Sequence, residues 1–322
     1  MINADRQDNA APPSINTRPR IVLLGTGGTI ASSASRTTQL VDYKVTSTAE
    51  SVLATVPEVR ELAEVRCEQI VNVDSHEIDN ALLLTIARRA QTVLQEPEVD
   101  AVVITHGTDT LEETAYFLNL TLKSAKPVVL VGAMRPASSL SADGPLNLYN
   151  AVRLATCPAA SGKGVLVTLN DRIVAARSVT KSSTSFTDAF GSGEEGHLGQ
   201  IAGGVVYFFN APLRDHTLET EFSLNDISEL PQVDILYDHQ AAGTHLYRAA
   251  IDAGAKGLVL AGWAMAACLQ QREQAQNWQV DMAWCSCDRR VCRTGLSLHC
   301  RLTSRFESSL RTRSILRRRA CC

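Results

Sequence analysis

Four short, unbroken apolar runs constrain this chain more than any other feature. They are Ile21–Leu24, Ala101–Thr105, Val128–Val131 and Gly164–Leu169. Each is short and rich in Val, Ile and Leu, and so reads as a strand covered on both faces. Stretches with helical spacing of apolar residues lie between and around them: Ser47–Val56, Ala81–Leu94, Leu111–Leu122 and, after Gly144-Pro145, about Leu146–Leu154. This alternation predicts an α/β fold with a large parallel sheet. Ligands of such sheets bind outside the carboxyl ends of the strands, so the loops after the strands are where chemistry is expected.

The chain has 322 residues, enough for two domains. Residues 1–19 are polar and read as a disordered leader without an apolar signal segment, which makes the cytoplasm the default location. The amino-terminal α/β domain is expected over 20–210. A polar, proline-containing stretch over 211–232 reads as a linker. Val233–Tyr237, Tyr247–Ala253 and Gly257–Ala261 then begin a smaller α/β carboxy-terminal domain over 233–262, broken off after about one βα unit and therefore incomplete. No run of about eighteen apolar residues is present, so no membrane span is expected. The net charge of −3 argues against a nucleic-acid partner held by bulk charge.

The first strand ends in Gly25-Thr26-Gly27-Gly28-Thr29-Ile30. Neither phosphate-binding pattern fits, because Ile30 stands where a dinucleotide site needs glycine and no Gly-Lys-Ser/Thr follows. Thr29 is either a turn cap or a hydroxyl nucleophile beside backbone N–H groups that could serve as an oxyanion site. The second strand ends in Thr105-His106-Gly107-Thr108-Asp109-Thr110. Thr108 and Asp109 are either helix caps or a hydroxyl and a carboxylate for a substrate ammonium group. Lys181 is either a solvated loop lysine or, if buried, a base for Thr108. His106 reads as a satisfied buried histidine. No metal-ligand spacing is seen in residues 1–262, and no cofactor is expected.

Three segments carry a family resemblance: Ile21–Ile30 (IVLLGTGGTI), Val103–Leu122 (VITHGTDTLEETAYFLNLTL) and Gly132–Val152 (GAMRPASSLSADGPLNLYNAV). They resemble the bacterial L-asparaginases, and most of all the type II asparaginases and glutaminase-asparaginases. The likeness runs from about Arg20 to Gly262. It implies hydrolysis of the side-chain amide of L-asparagine, and in some members of L-glutamine, without a cofactor. It implies that Thr29 is the nucleophile and Tyr43 the lid tyrosine beside it. Thr108, Asp109 and Lys181 match the second catalytic group, and Ser75 and Asp109 match the residues that grip the α-carboxylate and α-amino groups. His76 stands where many members carry Gln. The family assembles as a homotetramer, and relatives of this type are often exported, which makes the periplasm the alternative location.

The composition changes abruptly after Gly262. Residues 263–322 hold all three Trp, seven of nine Cys, and eleven Arg with no Lys. Their net charge is +7, which leaves −10 for the first 262 residues. Cys285, Cys287, Cys292 and Cys300 match no strong zinc or disulfide spacing, although a metal or nucleic-acid module is one reading of the tail. The genetic code supports another. Read from the third base of the Trp263 codon, Trp263–Gln271 permits Gly-Asn-Gly-Ser-Leu-Ser-Ala-Ala, which the family carries at this place. The same frame over Trp284–Gly295 permits Val-Leu-Val-Arg-Ser-Ser-Arg-Val-Pro-x-Gly, which resembles the family's next strand and loop. The tail is therefore expected to be an aberrant, disordered, out-of-frame translation. In the family, an Asn and a Glu from a neighbouring subunit's carboxy-terminal domain help hold the substrate, and neither has a counterpart here. The expectation is a poorly stable chain that fails to form the tetramer and has little or no activity.

Overall fold

A computed structural model of the chain describes residues 18–237, 239–262 and 283–288. β1 (Arg20–Gly27) runs into the glycine turn, and a single 3-10 turn over Thr29–Ala31 follows. β2 (Ser32–Ser33) and β3 (Lys44–Val45) pair antiparallel and carry the loop 34–43. α1 (Ala49–Ala54), α2 (Val59–Leu62), β4 (Glu64–Val73) and α3 (Asn80–Gln95) come next. Thr48 and Asp79 cap α1 and α3 by accepting from Ser51 N–H and Leu82 N–H. Then follow β5 (Ala101–Thr105), α4 (Leu111–Thr121), β6 (Val128–Val131), α5 (Gly144–Ala155) and β7 (Val165–Leu169). β8 (Arg172–Ala175), β9 (Thr180–Lys181), β10 (Phe190–Gly191), β11 (Gly199–Ala202) and β12 (Val205–Phe208) complete this part.

The main sheet has eight strands in the order β12-β11-β8-β7-β6-β5-β1-β4. The strands from β4 to β7 are parallel, as their apolar runs predict. β8, β11 and β12 are antiparallel, which the pattern alone does not show. The reason is local. Asn170 and Asp171 both adopt positive φ, 50° and 61°, and make a two-residue turn between Leu169 and Arg172. A connection that short joins only antiparallel strands. β4 also escapes the apolar-run search. It is an edge strand in which Glu64, Arg66 and Glu68 alternate with Val65 and Cys67.

Alternate residues of each buried strand point to opposite faces. Val22, Leu24, Val102, Ile104, Val128 and Leu130 join α3 and α4 in one core. Ile21, Leu23, Ala101, Val103, Val129 and Val131 join α1 and α5 in the other. The stretch expected as a linker is docked on the first of these cores through Phe222, Leu224, Ile227 and Leu230. Lys123 fastens it, its Nζ donating to Thr217 O at 2.7 Å and Thr220 O at 2.6 Å. A second, parallel sheet is made of β13 (Val233–Tyr237), β14 (Gly257–Gly262) and β15 (Ala283–Asp288), with α6 (His245–Asp252) between the first two in sequence. This sheet therefore takes in six residues beyond Gly262. The expectations for residues 1–17, 263–282 and 289–322 lie outside the described residues. Among the described residues no helix is long and apolar enough to cross a membrane.

Leu118 is fully buried in α4 against the sheet. Leu118→Ala should lower unfolding stability by about 2–5 kcal/mol, the range for a leucine cavity. Urea titration checks this, and a change below about 1 kcal/mol would show that the α4 face is not close-packed.

Candidate active site

The site is built where the tips of β4, β1 and β5 meet, three adjacent strands of the sheet. Gly28 has φ 80°, and a Cβ placed there would lie 2.3 Å from both Cα and N of Gly107. No side chain fits between these two loops, and only glycine takes that backbone conformation without strain. Gly107 in turn lies against Ser75: a Cβ there would sit 2.8 Å from Ser75 Oγ. Gly28 N–H donates to Val73 O at 3.0 Å, and Thr26 Oγ1 donates to Thr105 O at 2.8 Å. The three tips are thus held by one backbone bond and one side-chain bond, each to a backbone carbonyl. Thr29 and Thr108 each follow the glycine that makes the contact.

Thr29 is buried, and its Oγ1 is 3.0 Å from the Tyr43 hydroxyl. Tyr43 ends the loop carried by β2 and β3. That loop is seated on its neighbour by Ala34 N–H donating to Ser138 Oγ at 2.8 Å and Leu140 N–H donating to Thr37 O at 3.0 Å. Thr108 is buried as well. Lys181 reaches it from β9, Nζ donating to Thr108 Oγ1 at 3.0 Å and to Asp109 Oδ1 at 2.6 Å. The lysine side chain is only 14% exposed, whereas that of Asp109 is 64% exposed. Lys181 is therefore not a solvated loop lysine, and the Asp109 carboxylate remains open to solvent beside it.

The cap reading of Thr108 and Asp109 does not hold. The residue that begins α4 is Thr110, without a side-chain cap bond. Thr110 instead clasps Ser75: its N–H donates to Ser75 Oγ at 3.3 Å and its hydroxyl to Ser75 O at 2.8 Å. Because Ser75 Oγ accepts there, its own proton is left to donate to an anion. His76 follows Ser75 in the same 3-10 turn and is exposed. Of the backbone N–H groups in the glycine turn, that of Gly28 is committed to Val73 O.

His106 lies under the Thr108 loop and is fully buried. Its Nδ1 is 2.7 Å from Gly107 O and its Nε2 2.9 Å from Thr114 Oγ1. A carbonyl only accepts, so Nδ1 carries the proton and Nε2 accepts from Thr114. Burial pushes this histidine down to about 4, partly offset by its bond to Gly107. Sequence reasoning gave no role to Glu112, in the first turn of α4. Its carboxylate accepts the backbone N–H of Lys181 and, at 3.5 Å, the Thr180 hydroxyl. Burial raises its pKa above the ordinary value, against the effect of both bonds. Among the described residues no group of three or more His, Cys, Asp or Glu is arranged to hold a metal.

The class defined by this fold and site is an α/β protein with buried hydroxyls, a lysine and carboxylates gathered at parallel strand tips. Residues 20–214 match the family described as asparaginase, N-terminal. The chain belongs to the asparaginase family. It is 55% identical over 245 residues to L-asparaginase 2 of Bacillus subtilis, a match covering 76% of this chain and 65% of that protein. It is 44% identical to L-asparaginase 2 of Escherichia coli, covering 76% and 70%. It is also 44% identical to the glutaminase-asparaginase of Pseudomonas fluorescens, covering 75% and 67%. The matched stretch thus spans about two thirds of these relatives. Among solved structures, a probable cytoplasmic L-asparaginase from Campylobacter jejuni superposes with a TM-score of 0.79 at 41% identity, covering 84% of this chain and 86% of that one.

The buried His106 generates a pH prediction. Its folded value of about 4 lies below the ordinary 6.5, so the unfolded chain takes up this proton first as pH falls. The stability it permits is present above about pH 6.5 and declines toward pH 4, by on the order of 3 kcal/mol. His106→Gln should flatten this window when urea midpoints are compared between pH 7 and 4. An unchanged slope in that variant would contradict the assignment.

Proposed function

We propose that this site hydrolyses the side-chain amide of L-asparagine, with L-glutamine as a second substrate, to the acid and ammonia. The observation that carries the reading is the pairing of Thr29–Tyr43 with Thr108–Asp109–Lys181 across the Gly28–Gly107 contact. Thr29 Oγ1 attacks the amide carbon as its proton is drawn away, and the carbonyl oxygen takes the negative charge. The nitrogen departs as ammonia when it receives a proton, leaving an ester on Thr29. Water then attacks the ester, gives up a proton to the site, and the acid leaves as Thr29 regains its own. Thr108 and Lys181 move the protons. Ser75, with His76 beside it, meets the α-carboxylate, and the open Asp109 carboxylate meets the α-ammonium group. The names of the relatives support this substrate class. No step calls for a cofactor or metal.

A second reading is favoured by the composition break after Gly262. If the reading frame is lost there, the Asn and Glu of the neighbouring subunit are lost with it. The chain would then bind the amino acid, turn it over poorly and fail to form the family homotetramer.

A coupled ammonia assay on the full chain tests the first reading. Ammonia release from asparagine should fall by about 10³-fold or more in Thr29→Ala, while urea unfolding stays close to that of the unaltered chain. Full activity in that variant removes Thr29 from the mechanism. The second reading expects weak turnover by the unaltered chain, restored together with a tetramer in light scattering when one base is added near the Gly262 codon. Full turnover and a clean tetramer in the unaltered chain would refute it.

A further inference from the structure

Glu112 has no task in the reaction described above, yet its surroundings are unusual for an acidic residue in the first turn of a helix. Such residues ordinarily sit in solvent, where the free N–H groups of the helix end favour them. Glu112 is half-buried and turns onto another element. Its Oε2 accepts the backbone N–H of Lys181, and its Oε1 is 3.5 Å from the Thr180 hydroxyl. Burial of this carboxylate costs stability unless its bonds are worth the cost.

The segment it holds is otherwise weakly joined. β9 and β10 pair over only two residues each, Lys181 with Phe190 and Thr180 with Gly191. Ser182 continues the ladder, its N–H donating to Ala189 O at 2.7 Å and its hydroxyl to the same carbonyl at 3.1 Å. Beyond it the turn is open to solvent, with Phe186 72% exposed. Lys181 must nevertheless place Nζ within 3.0 Å of Thr108 Oγ1 and 2.6 Å of Asp109 Oδ1. Thr108, Asp109 and Glu112 lie within one short stretch leading into α4, and all three bind the same residue. Two hold the lysine's ammonium group and the third holds its backbone. A side chain with four rotatable carbons is aimed reliably only when its Cα is fixed as well.

We propose that Glu112 is a positioning residue for amide hydrolysis, its carboxylate fixing the Lys181 backbone so that Nζ meets Thr108 and Asp109. The proposal rests on the amidohydrolase reading of the site. Displacement of a catalytic group by about 1 Å is enough to cost about 10²-fold in rate. Glu112→Ala removes the tether, whereas Glu112→Gln keeps an oxygen that accepts the same N–H.

The test compares the full chain with both variants by ammonia release and by amide hydrogen exchange. In Glu112→Ala, kcat should fall about 10- to 100-fold with KM within about twofold, and Lys181 and Ser182 amides should exchange about tenfold faster. Glu112→Gln should restore both to within about threefold. Unchanged kcat and unchanged protection in Glu112→Ala would overturn the proposal. So would equal losses in both variants with faster exchange across the whole sheet, since that marks a general packing role. If the unaltered chain releases no ammonia from either amide, the first reading fails for this chain, and the amidohydrolase site itself is refuted only if release is also absent after one base is added near the Gly262 codon. The exchange arm then decides the Lys181 tether alone: retained protection in Glu112→Ala rejects it, and selective loss supports it.

Discussion

The close approach of Gly28 to Gly107 governs the rest of the site. Neighbouring parallel strands lie about 4.8 Å apart, but their outgoing loops ordinarily diverge, because side chains keep them separate. Here two glycines remove that obstacle at adjacent strand tips, and the backbones meet. The residue after each glycine is a buried threonine. A contact without side chains thus brings together two loops, each carrying a buried threonine, that are far apart in sequence. Ser75 joins the same cluster because Gly107 lies against it and Thr110 clasps it. The eight-stranded sheet supplies the rigid frame, and the glycines allow chemistry to be placed at its edge.

A second layer maintains the charges. His106 sits neutral beneath the Thr108 loop with both ring nitrogens occupied, so it braces the loop without adding a charge near Lys181. The cation of the site comes instead from β9, held at its ammonium end by Thr108 and Asp109 and at its backbone by Glu112. These partners have different exposures. Lys181 is largely enclosed, while Asp109 faces outward and can meet a charged substrate without a rearrangement of the core.

The legible parts of the sequence are those governed by local rules. Val128–Val131 and Val233–Tyr237 coincide with observed strands because an apolar run bounded by loop residues has few alternatives. Thr29, Thr108 and Asp109 stand in the long family-like segments just after predicted strands, whereas Lys181 lies outside those segments. What escaped notice depends on neighbours distant in sequence. β4 carries alternating charge because it is an edge, and strand order is not written in its own residues. The antiparallel half of the sheet hinges on positive φ at Asn170 and Asp171. Glu112 looks like any acidic residue at a helix start until β9 is folded over it. The bond from Gly28 N–H to Val73 O is likewise invisible in the sequence, since its acceptor lies on a strand the apolar pattern does not reveal.

The most direct test of the convergence of the two hydroxyls is a double-mutant cycle on kcat/KM for ammonia release, with Thr29→Ala, Thr108→Ala and the pair. Groups that act as one unit lose most of their effect at the first substitution. The account predicts that the double variant is scarcely slower than the worse single variant. Losses that simply multiply would show that the two threonines act independently and would contradict it.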